Sequence, residues 1–143
     1  MYGLIRPLLF SLDAERAHNL TFQLLTTTGS VAKTAAGTLF GPASPKLSTQ
    51  VGRVSFAGPV GLAAGLDKNA EATAFWPSIG FGFVEVGTVT AKGQPGNPKP
   101  RLFRLPEDSA LINRMGFNNQ GVEAAVERLK NKKTNLIIGG NIG

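Results

Sequence analysis

Two stretches, Val60-Gly-Leu-Ala-Ala-Gly-Leu-Asp-Lys-Asn69 and Phe83-Val-Glu-Val-Gly-Thr-Val89, decide the fold class of this chain. Each begins with a short apolar or β-branched run, so we predict buried strands over Val60–Ala64 and Phe83–Val89. The residues from Ala70 to about Ile79 predict a helix, interrupted by one proline. Strand, helix and strand in this order indicate a parallel β/α unit.

The same alternation continues toward the C-terminus. Apolar residues recur at helical spacing within 121–130, and the run Leu136–Ile142 predicts a third strand. Before this helix lies a loop over 91–112, which is longer than ordinary connectors of about 2 to 6 residues. Its prolines would stiffen it, so we expect a functional loop rather than a disordered one.

Two short helices are predicted at the N-terminus. Apolar residues recur at helical spacing between Leu4 and Leu12, and Pro7 can open or kink this helix. Asp13 has the side chain of an N-cap for a second helix over about 14–27, whose apolar residues spread around much of its surface.

A linker and a hairpin are predicted after these helices. The stretch 37–48 is rich in Gly, Pro and Ser, so it predicts a linker, and we place a domain boundary near residue 45. The segments 47–51 and 53–57 predict two strands around Gly52.

The two N-terminal helices are more apolar than their length requires, and two interpretations remain open. They can form a hairpin that docks on the rest of the chain. They can also lie on a membrane surface, with Arg6, Arg16 and Lys33 near the lipid head groups.

Composition and charge restrict the function. Hydrophobic residues make up 42% and charged residues 17% of 143 residues, which is typical of a globular chain, and no apolar run approaches the ~18 residues of a membrane span. The formal charge of +6 favours anionic partners. Without cysteine and with a single His, the chain offers neither disulfides nor a His-rich metal cluster, and we expect no metal site.

Four dense motifs lie at or just after the ends of the predicted strands, at the positions where β/α enzymes place their active sites. Small residues in the first motif allow the backbone to approach a flat cofactor, while its lysine supplies a fixed positive charge. The motifs are Gly-Leu-Ala-Ala-Gly-Leu-Asp-Lys-Asn (61–69), Glu-Val-Gly-Thr-Val-Thr (85–90), Gly-Asn-Pro-Lys-Pro-Arg (96–101) and Asn-Arg-Met-Gly-Phe (113–117).

In this order the four motifs resemble those of the dihydroorotate dehydrogenases, FMN enzymes of pyrimidine synthesis. The N-terminal stretch 6–18 resembles the quinone-linked, membrane-associated class 2 of that family, and the resemblance covers essentially the whole chain. It implies the N-terminal part of a (β/α)8 TIM barrel over 46–143, preceded by a small helical quinone and membrane module over 1–45. It also implies that dihydroorotate is oxidised to orotate and that electrons pass to a quinone, at the cytoplasmic face of the cell membrane.

The resemblance assigns roles to individual residues. For FMN they are Ala64, Gly65, Leu66, Asp67, Lys68, Thr88 and Asn141. For dihydroorotate they are Lys68, Asn113, Arg114, Met115, Gly116 and Phe117. On the quinone side they are His18 and Arg104. The serine base of class 2 is expected beyond Gly143, so no catalytic base is assigned within this chain. A complete barrel takes about 250 residues, so we expect 143 residues to be an inactive fragment by themselves.

Simpler interpretations compete for several of these residues. Taken alone, Lys68 is an ordinary loop cation, Thr88 suits a strand by its β propensity, His18 is a structural histidine, and Arg114 is a solvated charge. The alternative function is a non-catalytic, basic module that binds a membrane surface or nucleic acid. Lys and Arg are scattered without interleaved aromatic residues, so we expect no nucleic-acid partner.

Overall fold

The computed structural model describes residues 2–143, with three helices at the N-terminus and a small parallel sheet at the centre. Short 3₁₀ turns lie at Pro45–Leu47 and Trp76–Ile79. In chain order the helices and strands are α1 (Tyr2–Phe10), α2 (Ala14–Thr27), α3 (Gly29–Leu39), β1 (Thr49–Val51), β2 (Val54–Phe56), β3 (Gly61–Leu62), β4 (Phe83–Val89), β5 (Lys92–Gln94), β6 (Leu102–Leu105), β7 (Ala110–Asn113), β8 (Asn119–Gly121), α4 (Val122–Lys130) and β9 (Ile137–Ile142).

The central sheet has the order β3-β4-β9, and its three strands are parallel. Val84 and Val86 on the middle strand are fully buried, and Leu136, directly before β9, joins the same core. The crossover from β4 to β9 contains α4. The predicted parallel order of the three strands and the helix in the second crossover are therefore confirmed, and strand β4 has the predicted bounds.

Helix α2 docks on the core of this sheet. The Asp13 side chain accepts hydrogen bonds from the backbone N–H of Glu15 and Arg16 at 2.9 and 3.0 Å, so it caps α2 as predicted. Phe22 and Leu25 on α2 pack against the core, and the Phe22 ring lies 6.0 Å from that of Trp76. Within residues 2–143, no helix has the length and apolar character needed to cross a membrane.

Helix α3 was not predicted. It occupies Gly29–Leu39, so the predicted linker over 37–48 begins only after Leu39. The segment contains two glycines and two threonines, which weaken its helical pattern in the sequence. Packing against the 3₁₀ turn at Trp76–Ile79 stabilises this helix, with Ala36 buried.

The helix predicted between the first two strands of the sheet is wrong. The segment 67–75 forms turns, and only Trp76–Ile79 is helical, as a 3₁₀ turn. Ala70 has a left-handed φ of 58°, which an α-helix does not allow, and Pro77 lacks an N–H donor. The preceding strand is also shorter than predicted, because the chain turns after Leu62 and Gly65 has a φ of +109°.

The segment 91–112 is not a long loop but contains three strands. Strand β6 pairs with β7 as an antiparallel hairpin, and β5 pairs with β8. The Leu-Phe-Arg-Leu sequence of β6 has no apolar and polar alternation, so the sequence pattern did not reveal this strand. The β1–β2 hairpin around Gly52, in contrast, is confirmed.

Candidate active site

A cavity of about 300 Å³ lies at the carboxyl ends of the parallel strands. Four chain segments form its wall: the turn after β3, the end of β4, the end of β9, and the end of β7 with the loop that follows it. Every lining residue belongs to the set predicted from the sequence. The lining residues are Ala64, Gly65, Lys68, Thr88, Asn113, Gly116, Phe117 and Asn141.

Glycines allow the strand ends to meet closely at this cavity. The backbone N–H of Gly65 donates to the carbonyl oxygen of Gly87 at 2.8 Å, which joins the turn after β3 to the end of β4. A Cβ on Gly87 would stand 2.4 Å from the carbonyl oxygen of Asn141, so a side chain would force β4 and β9 apart. No atom lies within 4 Å of a Cβ built on Gly65, so the cavity stays open there.

Three polar side chains form a directed hydrogen-bond chain beside the cavity. The Asn141 Nδ2 donates to Glu85 Oε1 at 3.1 Å, and the Thr88 hydroxyl donates to Asn141 Oδ1 at 2.5 Å. A carboxylate only accepts, so Glu85 fixes which end of the Asn141 amide faces Thr88. The hydroxyl hydrogen of Thr88 is thereby committed, and its oxygen presents lone pairs to a ligand.

Lys68 is half-buried between the turn and the loop that follows β7. Its Nζ donates to Asn118 Oδ1 at 2.5 Å and to the carbonyl oxygen of Gly116 at 3.5 Å. Burial lowers the pKa of Lys68, the nearby Arg101 charge lowers it further, and Glu15 opposes the shift. Two acceptors thus hold a positive charge at the cavity wall.

The loop 113–117 is exposed and held by a neighbouring loop. Within it, Asn113 Oδ1 accepts the backbone N–H of Met115 at 2.9 Å, which orients the Asn113 amide. Asn97 donates from Nδ2 to the carbonyl oxygen of Arg114 at 2.7 Å and from its backbone N–H to that of Met115 at 2.9 Å. The Arg114 guanidinium lies outside the cavity wall, with Cζ 5.9 Å from the centre of the Phe103 ring.

Asp67 lies beside the cavity, but its carboxylate serves the fold. The side chain is 1% exposed and accepts hydrogen bonds from the backbone N–H of Glu71 and Ala72 and from Trp76 Nε1, at 2.7, 3.0 and 2.9 Å. Asp67 lines neither this cavity nor its larger neighbour, so its predicted contact with the cofactor stays a prediction.

A second cavity of about 550 Å³ adjoins the first and shares Gly65, Lys68 and Asn113 with it. Helix α2, the turn after β3, the β6–β7 hairpin and the loop after it form its wall. His18, predicted for the quinone side, lines this cavity with Phe22, and their ring centres are 4.7 Å apart. Burial, and then the Lys68 charge, lowers the pKa of His18 and favours its neutral form.

Arg104 lines neither cavity. Its guanidinium donates from Nη1 to the carbonyl oxygen of Leu12 at 2.6 Å and from Nη2 to that of Leu9 at 3.3 Å, and Cζ lies 4.4 Å from the centre of the Phe10 ring. These contacts bind the β6–β7 hairpin to the end of α1. Leu66 and Met115, from the predicted flavin and substrate sets, line the larger cavity.

Sequence reasoning missed several residues that hold the site together. Arg101 ends the Gly-Asn-Pro-Lys-Pro-Arg motif, and its partner Glu15 lies 86 positions earlier. The motif was the only sequence signal for Arg101, because a charged residue within a segment of prolines and glycine indicates that a partner of opposite charge lies elsewhere in the chain. Glu85 begins the motif 85–90, but its partner Asn141 lies 56 positions later, and Asn118 follows the last motif without belonging to it. Among residues 2–143, no group of three or more His, Cys, Asp or Glu side chains is placed to hold a metal ion.

Parallel strands with a lysine, a threonine and an asparagine around a cavity at their carboxyl ends form the arrangement in which β/α enzymes place their active sites. The profile of the dihydroorotate dehydrogenase family matches residues 46–142, and the chain belongs to this family.

Curated relatives carry the same family name. The chain is 52% identical over 145 residues to the dihydroorotate dehydrogenase (quinone) of Mycolicibacterium smegmatis, and 54% identical over 143 residues to that of Christiangramia forsetii. These matches cover 100% and 99% of the chain but 41% and 42% of the relatives. The chain thus spans about two fifths of their length.

Solved structures of dihydroorotate dehydrogenase resemble this chain in fold. The ligand-free dihydroorotate dehydrogenase of Eimeria tenella superposes with a TM-score of 0.71 at 42% identity, over 92% of this chain and 37% of that one. The complex of the same enzyme with ferulenol gives the same TM-score over 90% of this chain and 35% of that one.

Proposed function

We propose that this chain acts in the oxidation of dihydroorotate to orotate, with FMN as the resident cofactor and a quinone as electron acceptor, in pyrimidine synthesis. The observation that carries the proposal is the cavity at the strand ends, because each of its eight lining residues belongs to the sets expected for the flavin and the substrate. The relatives named dihydroorotate dehydrogenase (quinone) support the choice of acceptor.

The residues of the smaller cavity fit the ring of a flavin. FMN would supply the site that accepts a hydride from the substrate. The backbone around Ala64 and Gly65 gives a flat, open approach, and Asn141 stands beside it. Thr88 presents an acceptor to a ring N–H because its own hydrogen is bound to Asn141. Further residues of the family barrel would complete the cofactor site.

Lys68 and the loop 113–117 would hold dihydroorotate against the flavin. The Lys68 ammonium stabilises negative charge that develops on the neighbouring ring system, because its two acceptors fix it in place. Asn113 presents amide donors toward the polar edge of the substrate, and Gly116 at a φ of +72° lets the backbone come close. Arg114, Met115 and Phe117 would shape the rest of the loop.

The larger cavity would receive the quinone. It shares Lys68 with the smaller cavity, so an occupant lies next to the flavin position. A neutral His18 can donate one ring N–H to a quinone oxygen without placing a second positive charge near Lys68. Arg104 would act by holding α1 and the β6–β7 hairpin together at the rim, in addition to any contact with the quinone itself.

Helix α1 would place this cavity at a lipid surface. Leu4 and Leu8 are 86% and 72% exposed, and Ile5 is also exposed, so one short helix offers a continuous apolar surface. Such a surface is typical of peripheral attachment in the lipid interface. We place the protein at the cytoplasmic face of the cell membrane, with residues 46–143 as the first part of a TIM barrel.

The two half-reactions of the intact protein test the proposal. Anaerobic addition of dihydroorotate should bleach the flavin absorbance, and subsequent addition of a quinone should restore it. A His18→Ala variant should keep the first half-reaction and slow the second, whereas Lys68→Ala should slow the first.

A protein that binds no flavin, or whose flavin is not bleached by dihydroorotate, would contradict the proposal. Binding to anionic vesicles or to nucleic acid without either half-reaction would favour the non-catalytic basic module instead.

A further inference from the structure

The N-terminal helices and the loop 113–117 are joined through a buried ion pair. Glu15 on α2 and Arg101 are each 7% exposed. Arg101 Nε donates to Glu15 Oε2 at 3.1 Å, and Nη2 donates to Oε1 at 2.7 Å, so the pair is bidentate. Lys99 also reaches Glu15 Oε1 at 3.1 Å, but its side chain is 64% exposed.

The third nitrogen of Arg101 shapes its own loop. Nη1 donates to the carbonyl oxygens of Pro95 and Asn97, at 2.5 and 3.0 Å. The segment 95–101 is therefore wrapped around one guanidinium, whose position Glu15 sets. Removing the carboxylate leaves a buried charge without its partner, which is costly in a protein interior.

The segment 95–101 in turn holds the loop proposed to bind substrate. Asn97 bonds the carbonyl oxygens of Arg114 and Met115, and the Arg114 N–H donates to the carbonyl oxygen of Arg101 at 2.9 Å. A Cβ on Gly96 would stand 2.3 Å from the Met115 carbonyl oxygen, so the two segments are in direct backbone contact. Displacement of one segment therefore moves the other.

The final link reaches the active-site lysine. Lys68 donates to the Gly116 carbonyl oxygen and to Asn118 Oδ1. Gly116 follows Met115 in the chain, and Met115 is the residue whose carbonyl oxygen accepts the Asn97 N–H. An unbroken series of contacts thus runs from Glu15 through Arg101 and Asn97 to the substrate loop and Lys68. None of the residues in this series belongs to the central sheet β3-β4-β9.

We propose that Glu15 is a positioning residue, which acts through Arg101 and Asn97 to hold the loop 113–117 in its substrate-binding form when α2 is docked. The seating of the helical module thereby regulates the affinity for dihydroorotate. This inference deepens the proposed function and rests on it. The hydrogen bonds of the loop exist without any ligand, so they can be tested separately.

Hydrogen exchange of the intact protein tests the coupling without activity. Glu15→Gln should raise amide exchange in 95–101 and in 113–118, since both segments lose the fixed guanidinium. Asn97→Ala should raise exchange in 113–118 and leave α2 unchanged. If Glu15 only attached α2, its substitution would raise exchange in α2 alone, and that result would overturn the inference.

Flavin reduction supplies the second readout. Glu15→Gln and Asn97→Ala should each raise the dihydroorotate concentration for half-maximal reduction about tenfold or more, with a smaller change in the maximal rate. Glu15→Asp, which keeps the charge, should recover part of the loss. Lys99→Ala is the matched control, because Lys99 is an exposed ion-pair partner of Glu15 and such partners contribute little. It should change the half-maximal dihydroorotate concentration less than about twofold.

The two hypotheses can fail separately. If the unsubstituted protein shows no bleaching by dihydroorotate, the proposed function fails, while the exchange experiment still decides the coupling. If it is bleached normally, and Glu15→Gln and Asn97→Ala leave the half-maximal concentration unchanged, the coupling fails alone. Should Glu15→Gln not fold, Glu15→Asp and Asn97→Ala decide the outcome.

Discussion

Helix α1 and the turn after β3 are both short segments rich in apolar and small residues, but they differ in burial and in hydrogen bonding. The turn is secured by Asp67, whose carboxylate is buried and accepts three hydrogen bonds. Helix α1 leaves Leu4 and Leu8 in contact with solvent and is held mainly at its C-terminal end, by Arg104.

The difference separates two uses of apolar sequence. Around the turn, burial and saturated hydrogen bonds fix the backbone where a ligand needs a rigid wall. On α1, exposed apolar surface without a partner among the described residues is an unfavourable arrangement in water, which a lipid interface would relieve. Changes at the turn should therefore affect stability and chemistry, and changes on α1 should affect attachment.

The largest effect is expected at Asp67. Asp67→Ala would leave three donors without their acceptor, two of them buried, and we expect a loss of about 3 kcal/mol or more in the free energy of unfolding. Urea denaturation of the intact protein measures it. Asp108→Ala, at an exposed turn, is the control and should stay within about 0.5 kcal/mol. Equal effects of the two substitutions would mean that the turn is not held as described.

The next effect concerns chemistry rather than stability. Lys68→Ala should slow flavin reduction at saturating dihydroorotate by about one to two decades, since hydrogen bonds to charged groups contribute roughly 1.5 to 3 kcal/mol. Stopped-flow absorbance measures the rate, and Lys46→Ala, an exposed cation, is the control. An unchanged rate would remove Lys68 from the site.

The third prediction concerns the exposed apolar surface of α1 and its binding to lipid. Leu4→Asp combined with Leu8→Asp should weaken binding to lipid vesicles about tenfold or more, since burying a leucine contributes about 1.5 to 3 kcal/mol. Flavin reduction by dihydroorotate should not change. Lys46→Glu alters the net charge by the same amount away from α1, and it should retain binding if apolar contact dominates. Vesicle flotation measures all three proteins, and retained binding of the double variant would argue against attachment through α1.

These substitutions separate membrane attachment from flavin reduction better than removal of the N-terminal helices does. Deleting residues 1–40 would abolish quinone reduction and spare flavin reduction if the helices made no contact with the rest of the chain. Phe22 and Leu25 pack on the core, however, and Glu15 holds Arg101. The deletion should therefore weaken flavin reduction as well.

The smallest effect is a pH dependence of stability. The hydrogen bond from Arg101 holds the pKa of Glu15 below its ordinary value of 4.5. The folded state thus favours the carboxylate, so its stabilisation is complete above pH 4.5 and is lost as pH falls through the lower pKa of the folded state. The difference in free energy of unfolding between the unsubstituted protein and Glu15→Gln should be constant near neutral pH and shrink in acid. A difference that grows in acid would contradict the assigned pair.

Prediction from the sequence succeeded where the signal was local. The β-branched run of β4, the Asp13 cap and the hairpin around Gly52 each depend on a few adjacent residues, and all three are confirmed. It failed for residues 70–79, because Asp67 and a left-handed Ala70 override the helical pattern there. It also missed β6 and β7, which are stabilised by pairing with each other rather than by their own pattern.

The sequence by itself determined the family, the parallel order of the three strands and which side chains stand at their carboxyl ends, since these follow from motifs and from short apolar or β-branched runs. Only the tertiary structure decided how those side chains are oriented. The Glu15–Arg101 pair spans 86 positions, and the Glu85–Asn141 bond spans 56. Such partners meet only when the chain folds, because the free energy of burying a charge or an amide depends on what lies opposite it.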